Sequence, residues 1–149
     1  MKIVNATSKD DEVLTFITKK SKAFWGYSEE QILIWNNSLT VSKEYIENNT
    51  VFKLITEDTI IGYYSYFNIE KDTIKLDNLF ILPDFIGKGF GKLLMNDFLK
   101  RIKKSETKKV QLHSDPNAEN FYLKLGFKKV GSFETSIKNR FMPIMKLYL

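Results

Sequence analysis

The stretch that decides the fold runs from Leu79 to Ile102, LFILPDFIGKGFGKLLMNDFLKRI. An apolar run reaches Pro83, and glycines then stand at alternate positions, Gly87, Gly89 and Gly91. Beyond them Leu94, Phe98 and Ile102 recur at four-residue spacing, with Lys92, Lys100, Arg101 and Lys103 mostly on the other faces. The pattern predicts a strand, a tight loop and an amphipathic helix. Glycines in regular structure cost about 0.5–1 kcal/mol each relative to Ala. Three in five residues therefore point to a backbone that must approach something closely. Small residues expose consecutive N–H groups, and the helix dipole adds positive potential at the same place, which suits a pyrophosphate. Lys88 and Lys92 add charge. The plainer alternative is a strand–helix turn without a ligand.

Two familiar phosphate loops fail on spacing. GxxxxGK[ST] would need a glycine at Ile86 and a hydroxyl at Leu93. GxGxxG would need its third glycine at Lys92 or Leu94. The loop also follows the fourth strand of the chain, not the opening strand of a βαβ unit.

Outward from the loop, the chain reads as one domain, residues 1–149, without repeats or linkers. MKIVNA reads as an edge strand, and Val13, Leu14, Phe16 and Ile17 mark a helix from Asp10 to about Lys20. Ser28 and Ser42 are N-caps of two further helices. TVFKLITED and TIIGYYSYFNIE form a hairpin about Glu57–Asp58, and DTIKLDNLFILP is the strand entering the loop. KKVQLHS is the next strand. DPNAENFYLKLGF is a helix capped by Asp115, opened by Pro116 and stopped by Gly126, with Ala118, Phe121, Tyr122 and Leu125 on one face. Two strands close the chain. Strand–helix–strand units imply parallel pairing and hairpins antiparallel pairing, so the expected class is a mixed α/β (α+β) sheet.

Composition excludes several functions. The chain has no cysteine, hence no disulfide framework, thiolate metal site or catalytic thiol. MKIVNATSKD lacks the apolar core of a secretory signal, and the most apolar run, Ile60–Ile69, is too short to span a bilayer. A cytoplasmic protein is expected, with no membrane partner. Net charge is +5, but the lysines are scattered and accompany no nucleic-acid motif, so solvated faces are expected and not a nucleic-acid partner.

LDNLFILPDFIGKGFGKLL (Leu76–Leu94) resembles motif A of the GCN5-related N-acetyltransferases (GNAT family), an apolar strand, a Pro and a [R/Q]-x-x-G-x-[G/A] loop opening a helix. DPNAENFYLKLGFKKVG (Asp115–Gly131) resembles motif B, A-x-x-F-Y-x-x-x-G-F, in the family's order and at a family-like separation. KAFWGYSEEQ and SIKNRFMPIMKLYL resemble segments of a bacterial subgroup, which extends the likeness over most of the chain. Ile86 stands where the family has Arg or Gln, which implies weaker side-chain help at the loop and not loss of binding.

The resemblance implies a largely antiparallel sheet in which two parallel strands, Lys75–Leu82 and Lys109–Ser114, splay apart around acetyl-CoA. No metal is implied. The cofactor-binding positions are Leu79, Phe80 and Ile81 along the pantetheine arm, Gly87, Lys88, Gly89, Phe90, Gly91 and Lys92 at the pyrophosphate, and Asn117 and Phe121 at the second helix. The activity implied is acetyl transfer to a primary amine of a small molecule or peptide. A non-catalytic CoA-binding sensor on the same fold is the alternative, and a homodimer is one option for assembly.

Such chemistry needs a polarised carbonyl, a neutral amine and a proton for the leaving thiolate. An N–H near Ile81 suits the first. Tyr122 is the candidate acid; from a Tyr near 10 to a thiol near 8.5 the transfer is uphill by about 2 kcal/mol. A core aromatic is the other reading of Tyr122. Asp77 is the candidate base, and it needs burial, since an ordinary Asp titrates near about 3.9. His113 either relays a proton or is simply hydrogen-bonded. Asn117 contacts the CoA arm or caps its helix. Trp25 and Tyr27 either close over the acceptor or anchor their helices. Arg140 is expected to pair with a surface carboxylate.

Overall fold

Glu57 and Asp58 fold the middle of the chain back on itself. Both lie in the left-handed region, φ 49° and 61°, the geometry of a two-residue hairpin turn that matches the twist of the strands it joins. In the computed structural model, which describes residues 1–149, the turn links β2 (Thr50–Thr56) to β3 (Thr59–Glu70). With β1 (Lys2–Asn5), β4 (Thr73–Ile81), β5 (Lys109–His113), β6 (Lys128–Glu134) and β7 (Phe141–Tyr148), the strand order is β1-β2-β3-β4-β5-β7-β6. The sheet is mostly antiparallel. Its parallel pair is β4 with β5, as the resemblance implied.

Residues group into two compact units, Met1–Tyr66 with Asn78–Ile102, and Phe67–Asp77 with Lys103–Leu149. The first holds α1 (Asp11–Phe24), α2 (Glu29–Ile34), α3 (Asn36–Leu39), α4 (Lys43–Asn48) and α5 (Phe90–Ile102). The hydroxyls of Ser28 and Ser42 accept the N–H groups of Gln31 and Tyr45, each at 3.0 Å, so both caps are where the sequence put them. Two boundaries differ. α1 runs on past Lys20 to Phe24 and ends against Gly26, φ +92°. The helix expected after Ser28 breaks at Trp35 into α2 and α3, ahead of two asparagines whose side chains compete with helix continuation. Leu14, Ile17, Val41, Ile46, Val51 and Tyr63 form one buried cluster, joined by Phe80 and Leu82. Leu94, Met95, Phe98 and Ile102 are the buried stripe of α5.

In the second unit β5 pairs with β7 and β7 with β6, antiparallel in both cases. Asp115 caps a single 3₁₀ turn, Pro116–Ala118, which leads into α6 (Glu119–Lys124). Of the four residues expected to share the inner face of this helix only Tyr122 is buried; Ala118, Phe121 and Leu125 are half-buried.

Candidate functional site

The β4 strand sets the geometry of the first unit's share. Leu82 N–H donates to Ile61 O at 2.8 Å. Backbone groups alternate along a strand, so Leu79 and Ile81 turn their N–H groups to the opposite edge. The β4–β5 ladder has three rungs, Thr73–Lys75 against Lys109–Gln111, and no rung reaches Leu79 or Ile81. A free edge of this kind can take an extended ligand as an added strand. Gly62 on β3 brings the strands together: a Cβ there would stand 2.9 Å from Phe80 O and 2.7 Å from Ile81 Cδ1.

After β4 a 3₁₀ turn, Pro83–Phe85, carries the chain into the loop. Gly87 and Gly89 have φ +82° and +87°, so two of the three loop glycines are required by backbone conformation. Gly91 lies inside the first turn of α5. Leu93 N–H donates to Gly89 O at 3.0 Å and is the first amide of the helix with a backbone acceptor. The N–H groups from Gly87 through Lys92 donate to no protein acceptor. A Cβ at Gly87 or Gly89 would meet nothing within 4 Å, which leaves the amides approachable. Lys88 and Lys92 are exposed beside them, Lys88 lying 5.7 Å from the Phe85 ring, and Phe90 packs edge-on against Phe85. Amides, dipole and two ammonium groups together fit a pyrophosphate.

Trp25 and Tyr27 flank Gly26 at the end of α1. Trp25 packs edge-on against Phe24 and is exposed; Tyr27 packs edge-on against Trp35, 4.9 Å between centroids. The sequence did not single out Trp35. Nor did it reveal a buried polar group near β4: Tyr45 Oη lies 2.8 Å from Ser65 Oγ, and Asn78 Nδ2 donates to Ser65 Oγ at 2.9 Å.

The second unit holds the titratable residues. Tyr122 is 8% exposed, its ring edge-on to Phe121 and Phe127. Burial, with the Asp115 carboxylate adding to it, pushes the phenol above its ordinary value, so it is protonated at neutral pH. The Asp77 side chain is 28% exposed and its Oδ1 lies 3.9 Å from Lys75 Nζ. Its burial is therefore partial. His113 stacks edge-on against Phe133. Its pKa is lowered by burial and by Lys75, against an opposing pull from Asp77.

Asp115 is busier than a helix cap. Oδ1 accepts from Asn117 N and from Asn117 Nδ2, each at 2.9 Å, and Oδ2 accepts from Arg140 Nη2 at 3.1 Å. The Arg140–Asp115 pair is 12% and 10% exposed, so Arg140 meets a carboxylate as expected, but a buried one. Residues 25 apart in sequence are brought together by the fold, and no local signal marks the pair.

No helix is long and apolar enough to cross a membrane, and no group of three or more His, Cys, Asp or Glu side chains is placed to hold a metal ion.

Comparison with known proteins agrees with this geometry. A family model described as an acetyltransferase (GNAT) domain matches residues 10–148. The uncharacterised N-acetyltransferase ycf52 of Gracilaria tenuistipitata var. liui is 31% identical over 97 residues, 65% of this chain and 50% of its own. The [ribosomal protein bS18]-alanine N-acetyltransferase of Haemophilus influenzae is 34% identical over 80 residues, 52% of this chain and 54% of its own. The chain thus spans about half the length of these curated relatives. Among solved structures, a PaiA N-acetyltransferase from Thermoplasma acidophilum in complex with coenzyme A superposes with TM-score 0.81 at 23% identity, covering 99% of this chain and 98% of the other.

Proposed function

We propose, for a chain that belongs to the GNAT acetyltransferase family, that residues 1–149 form one N-acetyltransferase domain that moves the acetyl group of acetyl-CoA to a primary amine. One observation carries the reading: six consecutive amides, Gly87 to Lys92, point to no protein acceptor at the start of a 13-residue helix, directly after a strand with a free edge.

Acetyl-CoA supplies an activated acyl carbon as a thioester. The amides of Gly87–Lys92 hold its pyrophosphate, aided by Lys88 and Lys92. Leu79, Phe80 and Ile81 offer backbone to the pantetheine arm, and Ile81 N–H polarises the carbonyl oxygen. Asn117 and Phe121 are further cofactor-binding residues. Asp77 takes a proton from the acceptor amine, directly or through water. An α-amine near about 8 gives up that proton more readily than a lysine near about 10.4. The amine nitrogen bonds to the acyl carbon, the C–S bond breaks, and Tyr122 gives its proton to the leaving sulfur. Its raised pKa keeps that proton available at neutral pH. Trp25 and Tyr27 face the acceptor.

Tyr122→Phe tests the catalytic part. Thiol release from acetyl-CoA with a panel of amines should fall about 100-fold or more, while acetyl-CoA affinity stays unchanged. Equal turnover by the variant would remove Tyr122 from the reaction. Tight acetyl-CoA binding with no thiol release on any amine would favour the sensor reading, for which the only partial burial of the candidate base Asp77 is the supporting observation.

A further inference from the structure

The chain's one histidine, His113, is half-buried at the end of β5. Its ring nitrogens make no hydrogen bond within the protein, and the ring packs edge-on against Phe133, 5.1 Å between centroids. No buried side-chain nitrogen or oxygen lacks a partner, so both ring nitrogens reach the surface. A histidine kept for structure spends a ring nitrogen on a carbonyl or carboxylate. His113 keeps both for solvent or a proton.

β4 and β5 run parallel with Lys75 opposite Gln111. Side chains return to the same face two residues on, which brings Asp77 and His113 to neighbouring positions just beyond the last rung. Lys75, Asp77, His113 and Phe133 all belong to the second unit. Burial and the Lys75 ammonium push the imidazole below its ordinary 6.5, against the pull of the Asp77 carboxylate. On the other side β7 sets Ile144 opposite His113, with Lys146 next on that face, and Lys128 of β6 stands opposite Lys146. At neutral pH the ring is therefore neutral, and one of its nitrogens is an acceptor. A protonated carboxyl group hands its proton readily to a neutral imidazole, since the ordinary values are about 3.9 and about 6.5. Resting on the acetyl-transfer reading, we propose that His113 is the second acceptor of the substrate's proton. An N–H bond of the acceptor ammonium breaks and the proton bonds to an Asp77 oxygen. The carboxyl group then gives it to a ring nitrogen of His113, and the imidazolium releases it to water. Asp77 is thereby ionised again for the proton that the nitrogen sheds after attack. His113 acts through Asp77 and not on the substrate itself.

With one histidine in the chain, its ring protons give a single set of NMR signals. They should titrate below 6.5 in the native protein, and lower still in Asp77→Asn, where the carboxylate's pull is gone. An unmoved titration in Asp77→Asn would uncouple the two groups and overturn the inference. In turnover, His113→Gln should lower kcat about 100-fold, with KM and acetyl-CoA affinity unchanged. Native kcat should fall as pH falls through the histidine's titration, because an imidazolium cannot accept; in His113→Gln that limb should vanish. In His113→Ala, added imidazole should restore the rate, which a merely structural loss would not allow. An undiminished kcat in His113→Gln, or a loss that keeps the acidic limb and ignores imidazole, would also overturn the inference. No thiol release by the native protein with any amine would instead strike the acetyl-transfer reading on which it rests.

Discussion

Gly89→Ala separates the backbone role of the loop glycines from their ligand role. Gly89 has φ +87°, and a Cβ added there meets nothing within 4 Å. The free protein therefore bears only the left-handed backbone cost, about 1–2 kcal/mol for an L-residue. For a chain of this length that lowers Tm by roughly 2–8 °C. Gly26, in the same first unit, is a matched control: φ +92° and the same open space. Gly26→Ala should lose the same stability for the same reason. The variants part company with coenzyme A. At about 100 times Kd a one-site ligand adds about 2.7 kcal/mol of stability. The native protein and Gly26→Ala should gain that in full. In Gly89→Ala a methyl group intrudes on the phosphate and the amides re-aim. Loss of one charge-assisted bond weakens affinity about tenfold or more, and the same ligand concentration then adds only about 1.4 kcal/mol. Thermal melts of the three proteins with and without coenzyme A read both effects. Equal ligand-induced shifts in the two variants would refute the assignment of the loop to a phosphate. A Gly89→Ala variant as stable as the native chain would refute the backbone argument.

Two further outcomes follow from packing and charge. Gly62→Ala pushes a Cβ into the carbonyl of Phe80, which cannot rotate away, so urea unfolding should report a loss of about 1–3 kcal/mol; a loss below about 0.5 kcal/mol would mean that β4 yields freely. His113 has a lowered pKa when folded, so the unfolded chain binds more protons between that value and the ordinary one near about 6.5. Its contribution to stability is present above the ordinary value and is lost as pH falls through that window. Native protein minus His113→Gln, compared between pH about 7.5 and about 5.5, should show this loss, and parallel curves would contradict it.

The site was legible where a local backbone demand writes itself into residue type. Gly87 and Gly89 need positive φ, Ser28 and Ser42 supply caps, and Glu57–Asp58 make the turn; each is a demand met within four residues. Gly26 carries the same kind of signal, a stop just past a helix, and it marks the end of α1 at Phe24. Gly91 continues the alternate-glycine pattern in the sequence, but helix α5 absorbs it. What stayed illegible depends on contacts far apart in sequence. Arg140 and Asp115 bury each other across 25 residues, and the close approach at Gly62 arises only when Phe80 and Ile81 pass beside it.

The most direct measurement is a calorimetric titration of the native protein with acetyl-CoA at low and raised salt. The account predicts saturable one-site binding that weakens as salt screens Lys88 and Lys92. Absence of any binding up to millimolar acetyl-CoA would contradict it, and would leave six amides without a protein acceptor and two glycines at positive φ without the ligand that explains them.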